Sequence, residues 1–329
     1  MFRLFSGTRE ALRPPAPVVV PPPRSTRLTN PERYLPDAGL TDAVNVALLL
    51  GQPLLLTGEP GTGKTQLAYR LAWELGYDEP LKFETKSTSR AQDLFYQYDS
   101  LARFRDAQIG EGGRDARKYL SYNALGLAIV LTRKRETLDA YLPPHFEHPG
   151  LRRSVVLIDE VDKAPRDFPN DLLNELGENV YFRIPELGGA AISADPDLRP
   201  IIVITSNSEK DLPDAFLRRC VYYNITFPDA ARLKSIIEHR LEGHSSGFLT
   251  EALDLFHELR APSSALRKKP ATAELLGWLV ALRDGAGMDG SPLASRPELT
   301  LSTISNLVKT AEDQERAIEV VKAWLQKPR

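Results

Sequence analysis

Gly58-Glu59-Pro60-Gly61-Thr62-Gly63-Lys64-Thr65 decides the fold. It satisfies G-x-x-x-x-G-K-[ST] and sits between an apolar run, Pro53 to Thr57, and a helical pattern, Thr65 to Leu75, that Gly76 closes. Glycines let the chain turn tightly and aim successive amides at phosphate oxygens. The helix that follows points its positive end at the same anion. In such a cradle Lys64 serves the β and γ phosphates and the Thr65 hydroxyl ligates Mg²⁺, so ATP with Mg²⁺ is the expected ligand.

A second signal lies downstream. Val155-Val156-Leu157-Ile158 is a buried strand that ends in Asp159-Glu160. Strand C-termini of a parallel sheet line the ligand crevice, which brings both carboxylates beside the loop. Asp159 is expected to hold Mg²⁺ through water, and Glu160 to polarise the attacking water. A third apolar strand, Ile201 to Thr205, ends in Ser206-Asn207. The Asn207 amide can hold a nucleophilic water or the γ-phosphate; it can equally cap a turn.

Outward from these motifs, Leu40 to Leu48 reads as a helix stopped by Gly51, Leu81 to Thr85 and Val221 to Ile225 as strands, and Phe168 to Leu176 and Leu212 to Arg218 as helices. Residues 90 to 116 read as a helix followed by a flexible insertion ending in Gly112-Gly113, and Tyr119 to Arg133 as a helix. Alternating strands and helices predict an α/β fold with a three-layer parallel sheet. After Phe227-Pro228 only helical patterns remain: 229 to 242, 249 to 260, 271 to 283, 299 to 310 and 312 to 326. Gly243, Gly247, Pro262, Pro270, Gly285, Gly287, Gly290, Pro292 and Pro297 punctuate them. The predicted organisation is a proline-rich tail over 1–31, an α/β nucleotide-binding domain over 32–228 and a smaller all-α lid domain over 229–329. The seven prolines between 13 and 31 predict an extended tether, with Phe2, Leu4 and Phe5 at its tip as a possible docking peptide.

Composition narrows the classes. Forty-two basic residues stand against 44 acidic ones, so no overall basic excess argues for nucleic acid. The single Cys220 excludes an internal disulfide framework and fits a reducing compartment. No apolar run reaches bilayer-spanning length, and the basic start leads into prolines rather than an apolar targeting core. A cytoplasmic protein without membrane insertion is the expectation.

The order of these segments resembles AAA+ ATPases. Gly58 to Thr65 resembles a Walker A motif, Val155 to Glu160 a Walker B motif, Thr205-Ser206-Asn207 a sensor 1, and Pro213 to Arg219 an arginine-finger helix. Tyr34-Leu35-Pro36 through Leu40, Asp93 to Asp99 and Ile158 to Ala164 are similar to the MoxR branch and its dynein-related relatives, over roughly residues 32 to 285. The resemblance implies a P-loop fold and a ring, commonly a hexamer, with ATP between subunits and assembly tied to nucleotide. It implies that Arg218 or Arg219 reaches a neighbour's γ-phosphate, that residues around Tyr34 contact adenine, and that residues 179 to 199 form a hairpin. It implies an insertion facing the pore or client within 86 to 116. It also implies a remodelled or loaded protein partner, of the kind that carries a von Willebrand factor A domain. One departure stands out: Lys269-Pro270-Ala271-Thr272-Ala273-Glu274 has no arginine where a sensor 2 is usual, and only Arg267, Lys268 and Lys269 lie near. A nucleic-acid motor or loader, a small-molecule kinase and a nucleotide-gated scaffold are the other readings the motifs allow.

Overall fold

The computed structural model describes residues 29–108, 115–173, 176–177, 180–208, 212–241, 246–286 and 293–327. Residues 1–28 of the proline-rich segment lie outside the described residues, as do Gly112-Gly113, Gly243, Gly287, Gly290 and Pro292. The described chain forms two compact units. One holds residues 36–59 and 64–226; the other holds the described residues before 36, residues 60–63 and those from 227 onward.

The first unit is built on a five-stranded sheet. With strands labelled in chain order, β1 is Leu54–Gly58, β2 Leu81–Glu84, β3 Tyr96–Tyr98, β4 Leu120–Tyr122, β5 Val155–Asp159, β6 Tyr181–Arg183, β7 Ala191–Ser193, β8 Ile201–Thr205 and β9 Val221–Ile225. The sheet runs β2-β5-β8-β1-β9 with every pairing parallel. All five positions of β5 are buried, as are four of β8, which a sheet covered on both faces requires. The helices are α1 Ala38–Leu50, α2 Lys64–Glu74, α3 Ser100–Gln108, α4 Ala124–Val130, α5 Phe168–Leu173 and α6 Asp214–Leu217. Helix α1 packs on β9 and β1, α2 on β5, β1 and β8, and α4 on β2 and β5. The Asp37 carboxylate accepts the Leu40 amide at 2.8 Å to start α1, and Gly51 ends it in the left-handed region at φ 62°.

Two expectations change in this unit. Residues 90 to 116 are not a helix followed by an insertion: a 3-10 turn at Ala91–Leu94 leads into β3, which pairs antiparallel with β4, and only then comes α3. The helix expected from Tyr119 is correspondingly shorter, because Leu120–Tyr122 is spent on that ribbon. The reason is tertiary. Leu94, Phe95 and Tyr96 are buried, and the Phe95 ring stacks on Phe182 with centroids 5.3 Å apart. Phe182 belongs to the second ribbon, β6 with β7, at the hairpin expected between 179 and 199.

The second unit contains α7 Ala230–Arg240, α8 Ser246–Arg260, α9 Thr272–Ala286, α10 Pro297–Thr303 and α11 Ala311–Leu325. It has its own core around Trp278, Trp324, Phe256 and Leu233. Both indoles are satisfied, Trp278 by the Thr303 hydroxyl at 2.9 Å and Trp324 by Asp254 at 2.6 Å. The helix expected over 299 to 310 stops at Thr303 and tightens into a 3-10 turn, Ile304–Asn306. Ile304, Leu307 and Val308 stay buried through the change, so the apolar spacing survives while the helix type does not. Pro31 also departs from the expected extended tether: it opens a 3-10 turn, Pro31–Arg33, capped by Asn30.

At the start of α11 the buried Asp313 carboxylate accepts the amides of Arg267 at 2.9 Å and Lys268 at 3.1 Å. These bonds hold its carboxyl below the usual carboxylate range. Two outcomes follow from this packing. A Cβ on Gly126 would meet the Phe95 carbonyl oxygen at 1.9 Å, so Gly126→Ala is expected to destabilise the sheet unit by about 3 kcal/mol in urea unfolding. Asp313 stabilises the fold as a carboxylate, so the urea-midpoint gap between wild type and Asp313→Asn is full above the ordinary carboxylate value. It closes as pH falls through the depressed one.

Candidate nucleotide-binding site

The loop after β1 turns where the sequence places its glycines. Gly58 has φ +136°, and a Cβ there would lie 2.4 Å from the Ile225 carbonyl oxygen on neighbouring β9, so no other residue fits. Gly61 and Gly63 follow at φ +77° and +94°. Lys64 opens α2 and is buried, with its ammonium folded back onto the Gly58 carbonyl at 2.8 Å and the Glu59 carbonyl at 3.0 Å. Burial pushes the Lys64 pKa down, against the pull of Asp162, Asp159 and Glu160. Among the described residues the ammonium bonds to main-chain carbonyls, partners it can exchange for an anion in the same loop.

Thr65 donates its hydroxyl to Asp159 Oδ1 at 2.9 Å, joining the loop to the tip of β5. Asp159 is buried, and the same Oδ1 accepts the Thr205 hydroxyl from β8 at 2.7 Å. Thr205 Oγ1 in turn accepts the Glu160 amide at 2.9 Å. The sequence placed Thr205 in the sensor 1 resemblance but gave it no link to the acid pair; its partners lie 45 and 46 residues away. A hydroxyl and a carboxylate side by side are hard oxygen donors of the kind Mg²⁺ takes, so Thr65 and Asp159 fit that ion.

Glu160 leaves the strand abruptly. Its backbone is left-handed at φ 59° and ψ 52°, a conformation that costs a non-glycine residue about 1 kcal/mol. This turn frees the second carboxylate from strict strand alternation. Glu160 pairs with Lys163, and its Oε1 lies 3.4 Å from the Asn207 amide nitrogen. The Asn207 main-chain amide donates to Asp162 at 3.0 Å. The Asn207 side chain therefore meets Glu160, while its backbone is tied to Asp162 in the turn after β5. Lys82 on β2, also missed by the sequence reading, places its ammonium 3.1 Å from Asp159 Oδ2.

The remaining expected residues lie elsewhere. Arg218 and Arg219 follow α6, are exposed, and their side chains make no hydrogen bond or ion pair among the described residues. In the helical unit, Pro60, Gly61, Thr62 and Gly63 are found with Tyr34. Tyr34 is buried; its ring edge lies 3.1 Å from where a Gly63 Cβ would be, and the Arg240 guanidinium stands 5.7 Å from its centroid. In the same unit a Gly61 Cβ would be 2.8 Å from that of Ala271, and Glu274 caps the Ala271 amide at 3.0 Å. Arg267, the arginine nearest the expected sensor 2 position, pairs with Glu312 at 3.0 Å.

A family model described as an AAA domain of the dynein-related subfamily matches residues 53–220, just over half of the chain. The Chromosome transmission fidelity protein 18 homolog of Drosophila melanogaster is 28% identical over 192 residues, covering 56% of this chain and 15% of that protein. The chain thus spans a small part of its curated relative. Two solved structures of Thermotoga maritima RuvB variants share 15% identity, cover 86% and 85% of this chain and 67% of theirs, and give TM-scores of 0.39 and 0.40. On the family match, with its P-loop, parallel sheet and following helices, the chain belongs to the dynein-related subfamily of AAA domains.

Proposed function

We propose that this protein hydrolyses ATP and uses the turnover to remodel or load a partner protein. The observation that carries the reading is the junction of Thr65, Asp159 and Thr205, with Glu160 and Asn207 meeting beside it. Residues 32–228 are the ATPase domain in this reading, and 229–329 the lid. The main-chain N–H groups of Gly58 to Thr65, Glu59 and Thr62 included, hold the phosphates, Pro60 shaping the turn without a donor of its own, and Lys64 leaves its two carbonyls for the β and γ oxygens. Thr65 and Asp159 hold Mg²⁺, which when bound neutralises charge on the phosphates. Glu160 takes the proton of the attacking water at its carboxylate once released from Lys163, and Asn207 orients that water. Tyr34 walls the adenine site.

Subunits act as a ring, hexameric by family resemblance and assembled with nucleotide, in which Arg218 or Arg219 reaches the neighbour's γ-phosphate. Their exposure, and the absence of side-chain partners among the described residues, support this trans role. A partner bearing a von Willebrand factor A domain rests on the MoxR resemblance, and a cytoplasmic site on the single cysteine. Among the described residues no helix is long and apolar enough to cross a membrane.

A second reading, action on nucleic acid, draws on the relative named for chromosome transmission fidelity. The balance of 42 basic against 44 acidic residues favours the protein client. An ATPase rate that rises on adding DNA and falls steeply with salt would reverse that preference.

Glu160→Gln is expected to bind ATP as wild type does and to lose about a hundredfold or more in kcat; wild-type turnover would remove Glu160 from the chemistry. Lys64→Ala is expected to lose nucleotide binding itself, read by a fluorescent ATP analogue. Arg218→Ala/Arg219→Ala keeps an intact loop and acidic pair, so mixing it with Glu160→Gln is expected to restore activity neither has alone. A mixture no more active than its parts would end the trans assignment.

A further inference from the structure

The Asp159 carboxylate receives more than the two hydroxyls described above. On its other oxygen it meets Lys82, whose ammonium lies 3.1 Å from Oδ2. Lys82 stands on β2 in register with Leu157 of β5, so the sheet pairing fixes the approach. Its second partner is Glu84, two residues on along the same strand face, at 2.6 Å. Glu84 is mostly exposed and Lys82 is about one-third exposed, so the ammonium has a route between a buried acid and a solvated one.

A divalent cation and a lysine ammonium compete for one carboxylate, because both carry positive charge into a site where Lys64 already carries another. Resting on the assignment of Thr65 and Asp159 to Mg²⁺, we infer that Lys82 is a positioning residue that sets metal affinity. It neutralises Asp159 before the metal arrives and is handed to Glu84 when the metal is bound. Free metal must displace Lys82 unaided; metal carried by a nucleotide brings phosphate charge that offsets the cost. The arrangement therefore favours uptake of metal together with nucleotide over uptake of metal alone.

The test is Mn²⁺ titration of the full chain, read by electron paramagnetic resonance of the free ion, with and without ADP. Lys82→Met is expected to bind Mn²⁺ alone about tenfold more tightly than wild type, with a much smaller gain when ADP is present. Lys82→Arg keeps the cation and is expected to behave as wild type. Glu84→Gln leaves Lys82 with Asp159 only and is expected to weaken Mn²⁺ binding. Asp159→Asn is expected to lose Mn²⁺ in every background. Equal Mn²⁺ affinities for Lys82→Met and wild type, with the Asp159→Asn loss intact, overturn this inference alone. Undiminished Mn²⁺ binding by Asp159→Asn overturns the metal assignment beneath it and the inference too.

Discussion

One carboxylate oxygen organises this molecule: Asp159 Oδ1 accepts the hydroxyls of both Thr65 and Thr205. A buried carboxylate is tolerated only when its lone pairs are met, and here donors come from three neighbouring elements: α2, β8 and β2. Each donor must stand at the right height along its element, which only the parallel register of β2, β5 and β8 provides. The sheet is thus more than a platform. Its register decides whether a hydroxyl from one motif meets the acid of another.

The same register explains why Glu160 behaves differently from its neighbour. Asp159 is the last residue of β5 and keeps strand geometry, whereas Glu160 turns at once into the left-handed region. Two adjacent acids therefore face separate sets of partners, Asp159 the hydroxyls and Lys82, Glu160 the side chains of Lys163 and Asn207. A backbone that costs energy at one residue is retained here by the Thr205 hydroxyl, which accepts the Glu160 amide.

Much of this was legible in the chain because it is local. Strands β1, β5 and β8 stand out as short apolar runs, β2 and β9 as short stretches with alternating burial, and the loop and acid pair are contiguous motifs. What was missed depends on pairing across long separations. Tyr96–Tyr98 is a three-residue strand whose partner lies beyond α3, too short to show an alternation of its own. Thr205 reads as the end of an apolar run and Lys82 as an ordinary strand-face cation; only the neighbouring strands give them a role. Asn207 was left between two readings, and its contacts to Glu160 and Asp162 both cross 45 residues or more, beyond the reach of local pattern. Arg218 and Arg219 are exposed after α6, and the role proposed for them needs a second copy of the chain.

The strand order has a consequence for how the chain is made. β1 lies between β8 and β9, pairing Leu55 with Ile204 on one side and with Tyr222 on the other. The loop that follows β1 leaves the ribosome ahead of its two flanking strands, which emerge well over a hundred residues later. Until Ile225 is synthesised, the Gly58 turn lacks the neighbour that shapes it, and β1 presents two open edges. The anion cradle, early in the chain, is among the last parts of the sheet unit to be completed.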